Sequence, residues 1–199
     1  MKRVVDVVGA SILILLTLPL LAGAAVGVLI SSGRPVFFGH WRIGRNGVPF
    51  RCWKLRTMQL HAERVLHETP ALRERYVTNG YKLPLAEDPR VTRFGAILRR
   101  TYLDELPQLF NVLNGTMSLV GPRPIVEEEM RNYGYRAAEL LTARPGIFGA
   151  WAAEGRARPP YPERVHIELD YVRRPSLLRD VVILARSVPV VLLGQDPES

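Results

Sequence analysis

The stretch Arg99-Arg100-Thr101-Tyr102-Leu103-Asp104-Glu105-Leu106-Pro107-Gln108-Leu109 decides how this chain is read. Two adjacent carboxylates follow a basic pair and precede a proline. Leu103, Leu106, Leu109, Phe110 and Leu113 recur at helical spacing, which predicts a helix with one buried face. Proline is tolerated in a first helical turn, where its missing N–H leaves no bond unmade. Asp104 and Glu105 are therefore expected at or near a helix N-terminus, whose free amides and dipole favour anions. Carboxylates and phosphates share such a corner only if a metal ion or the arginines offset their repulsion.

The chain has 199 residues, enough for one domain with a real core and a small appendage. Its formal net charge is +8, from 27 Lys+Arg against 19 Asp+Glu. That balance suits nucleic acid, anionic lipid or phosphorylated small molecules and does not choose among them. Cys52 is the one cysteine, which excludes an internal disulfide and fits a reducing compartment. The histidines (His40, His61, His67, His166) are scattered, and no Cys/His spacing suggests a metal cluster.

Val7 to Gly33 contains no charged side chain. A helical span needs about 20 apolar residues to cross ~30 Å of hydrocarbon, so the length suffices. Two features argue against a simple crossing. Pro19 sits near the middle, where it removes a hydrogen bond and bends or breaks a helix. Basic residues flank both ends, with Lys2 and Arg3 before and Arg34, Arg42 and Arg45 after, and the positive-inside rule places both ends in the cytoplasm. A helix that enters, turns at Pro19 and leaves on the same side satisfies both. Backbone freed at the break then needs a polar partner, for which Thr17 is the candidate. Asp6 is expected to pair with Arg3 or with the following domain. A plain transmembrane anchor is the alternative. A cleaved signal peptide is disfavoured, because no polar, small-residue cleavage region follows a short apolar core.

Pro35 to Phe38 reads as a short strand, Arg45-Asn46-Gly47 as a turn and Val48 to Leu55 as a second strand, giving a small hairpin. Lys54 and Arg56 follow each other by two and would share a strand face, either as a phosphate clamp or as plain solvated charge. A charged helix is expected from Glu63 to Tyr76, a loop from Tyr81 to Pro89 and another helix starting at Asp88-Pro89. Arg123 lies between Pro122 and Pro124, so its backbone is stiff; it suits bidentate phosphate binding, with a structural turn as the alternative. Glu127 to Leu141 is expected to be a helix whose three leading acids complement its dipole, a metal role for them being the rarer case. Val165 to Tyr171 is read as helical. Val181 to Leu193 is too short to span and carries Arg186, which fits a buried or interfacial helix beside the N-terminal segment.

Several ordered motifs resemble the bacterial sugar transferases, the monotopic phosphoglycosyl transferases acting on polyprenol phosphate. They are Lys54-Leu55-Arg56-Thr57-Met58, Asp88-Pro89-Arg90-Val91-Thr92, Leu103-Asp104-Glu105-Leu106-Pro107-Gln108, Asn111-Val112-Leu113, Met117-Ser118-Leu119-Val120-Gly121-Pro122-Arg123-Pro124 and Arg144-Pro145-Gly146-Ile147. The resemblance runs from Lys2 to about Gly194. It implies an α+β, mainly helical fold. A re-entrant membrane helix with a break near Pro19 would occupy 1–33, and a cytoplasmic-face catalytic domain 34–199, with a small β-hairpin and interfacial amphipathic helices. The family's localisation is the bacterial inner membrane.

The same resemblance implies a ping-pong reaction. Asp104 attacks the β-phosphate of a nucleotide sugar, usually a UDP-sugar; UMP leaves; undecaprenyl phosphate then takes the phosphosugar from the aspartate. Glu105 matches the glutamate that binds Mg²⁺, while Lys54, Arg99, Arg123 and Arg156 match substrate-binding cations. Membrane lipids are implied partners, and a homodimer is compatible. The chain departs from the family pattern at Leu18 (serine), at His40 (glutamine), at Glu168 (aspartate) and at Phe148 and Ala153, where a threonine and a glutamine are usual. Two other classes compete: an inactive membrane scaffold for glycan assembly, opposed by the intact Asp104-Glu105-Arg123 set, and a basic nucleic-acid binder, for which no recognition motif exists.

Overall fold

The computed structural model describes residues 1–79, 83–157 and 159–192, without the side chains of 156, 157, 191 and 192. The protein is mostly helical. A long apolar helix α1 (Lys2–Ser32) leads to an antiparallel hairpin of β1 (Phe37–Ile43) and β2 (Pro49–Leu55). Then come α2 (Ala62–Glu68), α3 (Pro70–Thr78), α4 (Arg93–Arg100) and α5 (Gln108–Asn114). A strand β3 (Ser118–Val120), a short α6 (Ala137–Leu140), β4 (Gly146–Phe148), α7 (Glu163–Arg173) and α8 (Leu177–Leu192) complete the described chain. Strands β3 and β4 pair in parallel. Gly121 and Gly146 meet where that pair ends: a Cβ on Gly121 would lie 2.4 Å from the Arg144 carbonyl, so only glycine permits the approach.

The hairpin forms as expected, in the register Phe37↔Leu55 to Ile43↔Pro49. Its turn uses Asn46 at φ +60° and Gly47 at φ +79°, backbone angles those residues accept most readily. The first strand is longer than the apolar run suggested, because Trp41 and Ile43 continue the pairing.

Helix α1 is continuous through Pro19, so the expected break there is not an interruption of the secondary structure. Thr17 does not serve the carbonyl that Pro19 frees. Its hydroxyl donates to the Leu13 carbonyl at 2.6 Å, one turn back, a bond that tends to bend helices. By length and composition α1 is apolar enough to cross a membrane. Yet both halves lie on the same globular body. Ala10, Leu13 and Ile14 pack with Phe50, Leu109, Val112 and Leu119. Leu21, Ala24 and Val28 pack with Leu55 and Leu98. Between these docking points Leu15, Leu16, Leu18 and Leu20 are 74, 69, 50 and 56% exposed.

The N-terminal end of α1 is fastened by polar contacts. Asp6 is taken by the domain rather than by Arg3: it accepts from Ser118 Oγ and the Leu119 N–H, each at 2.9 Å. Arg3 donates to the Val112 and Leu113 carbonyls at the end of α5, and Lys2 lies 2.5 Å from Asp180 near the start of α8. The other end is capped by Arg56, whose guanidinium donates to the carbonyls of Ser32, Gly33 and Arg34. Arg56 is therefore not half of a phosphate clamp. The orphan carbonyls of a helix C-terminus claim it.

Other expectations shift for local reasons. The Glu63–Tyr76 helix is two helices, because Pro70 starts a new one. The helix expected from Asp88 begins at Arg93, with Thr92 Oγ1 accepting the Gly95 N–H at 2.9 Å. Asp88 and Arg90 instead form a buried bidentate pair at 2.7 and 2.8 Å. Leu85–Glu87 is a 3₁₀ turn within the expected loop, and residues 80–82 lie outside the described chain. The stretch 127–141 is a series of 3₁₀ turns, interrupted by Gly134 at φ +54°, before the four residues of α6. Helix α8 leaves Leu178, Val181 and Val182 exposed and buries Ile183 and Val190, and Leu193 lies outside the described residues.

Candidate active site

The helix predicted through Leu103 to Leu113 is divided. Tyr102 takes a left-handed backbone at φ +55°, and Leu103–Glu105 follows as a 3₁₀ turn. Pro107 has no N–H to continue a helix from that turn, so α5 begins only at Gln108 and ends at Gly115, φ +86°. Asp104 and Glu105 thus precede a seven-residue helix, and its dipole is a minor influence on them.

The turn faces β2. Lys54 Nζ lies 2.5 Å from Glu105 Oε1, with side-chain exposures of 30 and 27%. Asp104 is 5% exposed. Burial pushes its carboxyl up, Lys54 opposes this, Glu105 reinforces it and Arg99 opposes it, and the outcome is a pKa raised to about 6. Burial by itself would lower the Lys54 ammonium, but Glu105 and then Asp104 carry it above its ordinary value. Arg99 is fixed by its Nε donating to Thr57 Oγ1 at 3.0 Å. Four of the residues named from the sequence therefore meet in one corner: Lys54, Arg99, Asp104 and Glu105.

Arg123 lies in the loop that follows β3. Its loop is gripped on every side. The Gly121 N–H donates to the Phe148 carbonyl at 2.9 Å, and the Gly146 N–H to the Pro122 carbonyl at 2.8 Å. The Arg123 N–H donates to Glu168 Oε1 at 3.3 Å, and Arg42 Nη1 to the Pro124 carbonyl at 3.4 Å. Cys52 is buried between the hairpin and α5, packed with Leu109 and Val112, and burial pushes its thiol up. The Arg156 side chain lies outside what the structure describes.

Sequence reading missed the group that stands behind Arg123. Arg164 is 3% exposed, with Glu129 at 3.5 Å and Glu168 at 3.9 Å. Its guanidinium lies over Trp151 at 4.3 Å and Tyr161 at 4.8 Å. Arg42 reaches Glu129 from β1 at 3.6 Å. Glu129, read as a dipole-complementing acid, is thus a buried ionic partner. In sequence, Arg164 and Glu168 look like an ordinary surface pair four residues apart, and only the aromatic residues nearby hint otherwise.

A groove of about 540 Å³ lies elsewhere, between α7 and α8, lined by Leu178, Val182, Ile183 and Arg186 among others. None of the acidic-corner residues borders it, and the corner stands out by its charge chemistry. Among the described residues no three His, Cys, Asp or Glu side chains are grouped to hold a metal. The donor set at the corner nevertheless fits Mg²⁺. This ion takes oxygen ligands and often needs only one or two carboxylates besides substrate phosphates, and Glu105 and Asp104 supply such carboxylates.

Residues 1–194 match the family described as bacterial sugar transferase. The exopolysaccharide production protein ExoY of Rhizobium meliloti is 43% identical over 195 residues, covering 98% of this chain and 86% of that protein. The UDP-glucose:undecaprenyl-phosphate glucose-1-phosphate transferase of Caulobacter vibrioides is 38% identical over 201 residues, with 96 and 69% covered. The undecaprenyl-phosphate galactose phosphotransferase of Salmonella typhimurium is 39% identical over 196 residues, covering 96% of this chain and 40% of that longer protein.

Proposed function

Since the chain belongs to the bacterial sugar transferase family, we propose that it moves a phosphosugar from a UDP-sugar to undecaprenyl phosphate, an early membrane step of exopolysaccharide synthesis. The observation that carries this reading is the corner itself. One buried carboxylate, Asp104, is flanked by two cations and a second, more exposed carboxylate. A carboxyl group with a pKa near 6 is ionised at neutral pH and is a better nucleophile than an ordinary aspartate.

In the first half-reaction an Asp104 carboxylate oxygen attacks the sugar-bearing β-phosphorus. The bond from that phosphorus to the bridging oxygen breaks, and UMP leaves with the electron pair. Lys54, Arg99 and Arg123 hold the phosphate oxygens and neutralise their charge, which is most of what catalysis of such a displacement requires. In the second, a phosphate oxygen of the lipid attacks the same phosphorus, and the Asp104 carboxylate is released unchanged. Glu105, with Asp104 beside it, would hold Mg²⁺, which supplies charge neutralisation on the diphosphate. Incubation with a panel of UDP-sugars and undecaprenyl phosphate should release UMP with at least one sugar, and EDTA should stop the release until Mg²⁺ is restored. No UMP from any nucleotide sugar would overturn the reading.

The packing of α1 supports a membrane arrangement for this reaction. Both halves of α1 pack on one body, which supports placing both of its ends on that body's side of the bilayer. The exposed leucines around Pro19 are then the part that dips into lipid, and the apolar face of α8 rests at the same surface. On this reading the protein is monotopic, on the cytoplasmic face of the inner membrane. Single cysteines placed at Met1 and Arg34, with Cys52 replaced by serine, should both be labelled from the cytoplasmic side only. Labelling from opposite sides would establish a crossing instead.

A further inference from the structure

Asn111 lies on α5, in the same turn-and-helix unit as Asp104, and is 1% exposed. All of its amide is engaged. Oδ1 accepts the Trp53 N–H at 3.0 Å, while Nδ2 donates to the Arg51 carbonyl at 2.8 Å and to Thr116 Oγ1 at 3.0 Å. Successive residues of a strand turn their N–H and C=O groups to opposite edges. The Arg51 carbonyl and the Trp53 N–H therefore share one edge of β2, the one turned away from β1. Asn111 offers that edge an acceptor and a donor spaced like those of a peptide unit, so its side chain stands where a third strand would pair. Thr116 braces the amide from the other side, and its hydroxyl is bonded in turn to the Asn111 carbonyl at 3.2 Å and to Asn114 Oδ1 at 2.8 Å.

The residue after Trp53 is Lys54, whose ammonium meets Glu105. The strand and the acidic turn are thus joined twice within a few residues, once by the neutral amide clasp and once by the ion pair. The ion pair is partly exposed and carries flexible side chains. The clasp is buried and rigid, and a strand that slips by one residue turns every side chain to the other face. We infer that Asn111 is a positioning residue, whose amide holds β2 in register against the Asp104-Glu105 turn and so delivers Lys54 to the reacting phosphates. The inference rests on the proposed roles of Asp104 and Lys54.

A double-mutant cycle with Asn111→Leu and Lys54→Met, read as kcat/KM for UMP release, tests it. Leucine fills a similar volume but leaves the Arg51 and Trp53 groups without partners, and alone it should lower the rate about 30-fold. In the Lys54→Met background the same change should cost less than about threefold, because the group it positions is gone. Losses that multiply would overturn the inference, since a general structural role acts whether or not Lys54 is present. If the leucine variant does not fold, Thr116→Val decides by the same rule. It removes only the brace, should cost about threefold alone and should cost nothing further beside Lys54→Met; no loss alone, or a multiplying one, overturns the inference. Amide hydrogen exchange at Trp53 reads the clasp without any turnover and should be at least about tenfold faster in either variant. Unchanged exchange would overturn the clasp even if UMP release is robust, whereas accelerated exchange in a protein that releases no UMP would leave the clasp in place and sink the proposed reaction, and with it the purpose assigned to Lys54.

Discussion

Asp104→Asn is expected to cut UMP release by more than about 10³-fold and to leave no phosphosugar adduct on quenched protein. Asparagine keeps the shape of the side chain and its oxygen, but it has no carboxylate to attack phosphorus. Intact-mass measurement after brief exposure to the nucleotide sugar, without lipid acceptor, should find the adduct in the wild type alone. An adduct in the variant, or UMP release within tenfold of wild type, would remove Asp104 from the nucleophile's role.

The same variant should be more stable than the wild type at neutral and alkaline pH. The Asp104 carboxyl has a folded-state pKa of about 6 against an ordinary 3.8. Below pH 3.8 the folded and unfolded chains both hold the proton, and Asp104 costs nothing. As pH rises through about 6 the folded chain must ionise a buried group that the unfolded chain ionises freely, and the cost is complete above that value. At pH 8 it is on the order of 2–3 kcal/mol. Thermal unfolding should therefore show a Tm gain for Asp104→Asn at pH 8 that fades toward pH 4. A Tm loss at pH 8 would mean that Lys54 and Arg99 outweigh the burial. UMP release by the wild type should fall on the acid side of about pH 6, because the nucleophile is then protonated.

The residues of the corner were legible because their chemistry is local. An acidic pair, a basic pair and a proline lie within one short stretch, and Lys54 closes a strand that its own alternation reveals. The backbone that presents them was not. Whether Asp104 sits on an α-helix or a 3₁₀ turn is decided by the left-handed Tyr102 and by Pro107, and a tyrosine announces no such conformation. Arg56 misled for a different reason. Its partners are carbonyls at the end of α1, more than twenty residues earlier in the chain, and a motif containing both Lys54 and Arg56 does not say which cation turns inward. The polar fastening of α1 by Asp6, Arg3 and Lys2 was half visible. The charges at the helix start were plain, but their partners on β3, α5 and α8 exist only in the folded chain.

Least legible was the ionic group behind Arg123, and removing its centre should have the largest effect on stability. Arg164→Ala takes away a cation that bridges Glu129 and Glu168, which are 3 and 0% exposed, and opens a gap between Trp151 and Tyr161. Breaking a buried pair in this way costs about 3–5 kcal/mol, because Glu129 is left to Arg42 and the Tyr161 hydroxyl and Glu168 to the Arg123 N–H. The loss should depend on pH. Burial already pushes the Glu168 carboxyl up, with Arg164 the main group opposing it. Without Arg164 its pKa rises further above that of the unfolded chain, so stability is kept at low pH and lost as pH rises through the new value. Urea unfolding should show a clearly smaller defect at pH 5 than at pH 8. Lysine should rescue poorly, since it has no planar face to lie over both rings. Activity should fall as well, even where the variant is folded. A protonated Glu168 is a weaker acceptor for the Arg123 N–H, and the loop that aims Arg123 then loses one of its holds. A variant within about 1 kcal/mol of wild type at pH 8, or one equally destabilised at both pH values, would show that the buried carboxylates do not depend on Arg164.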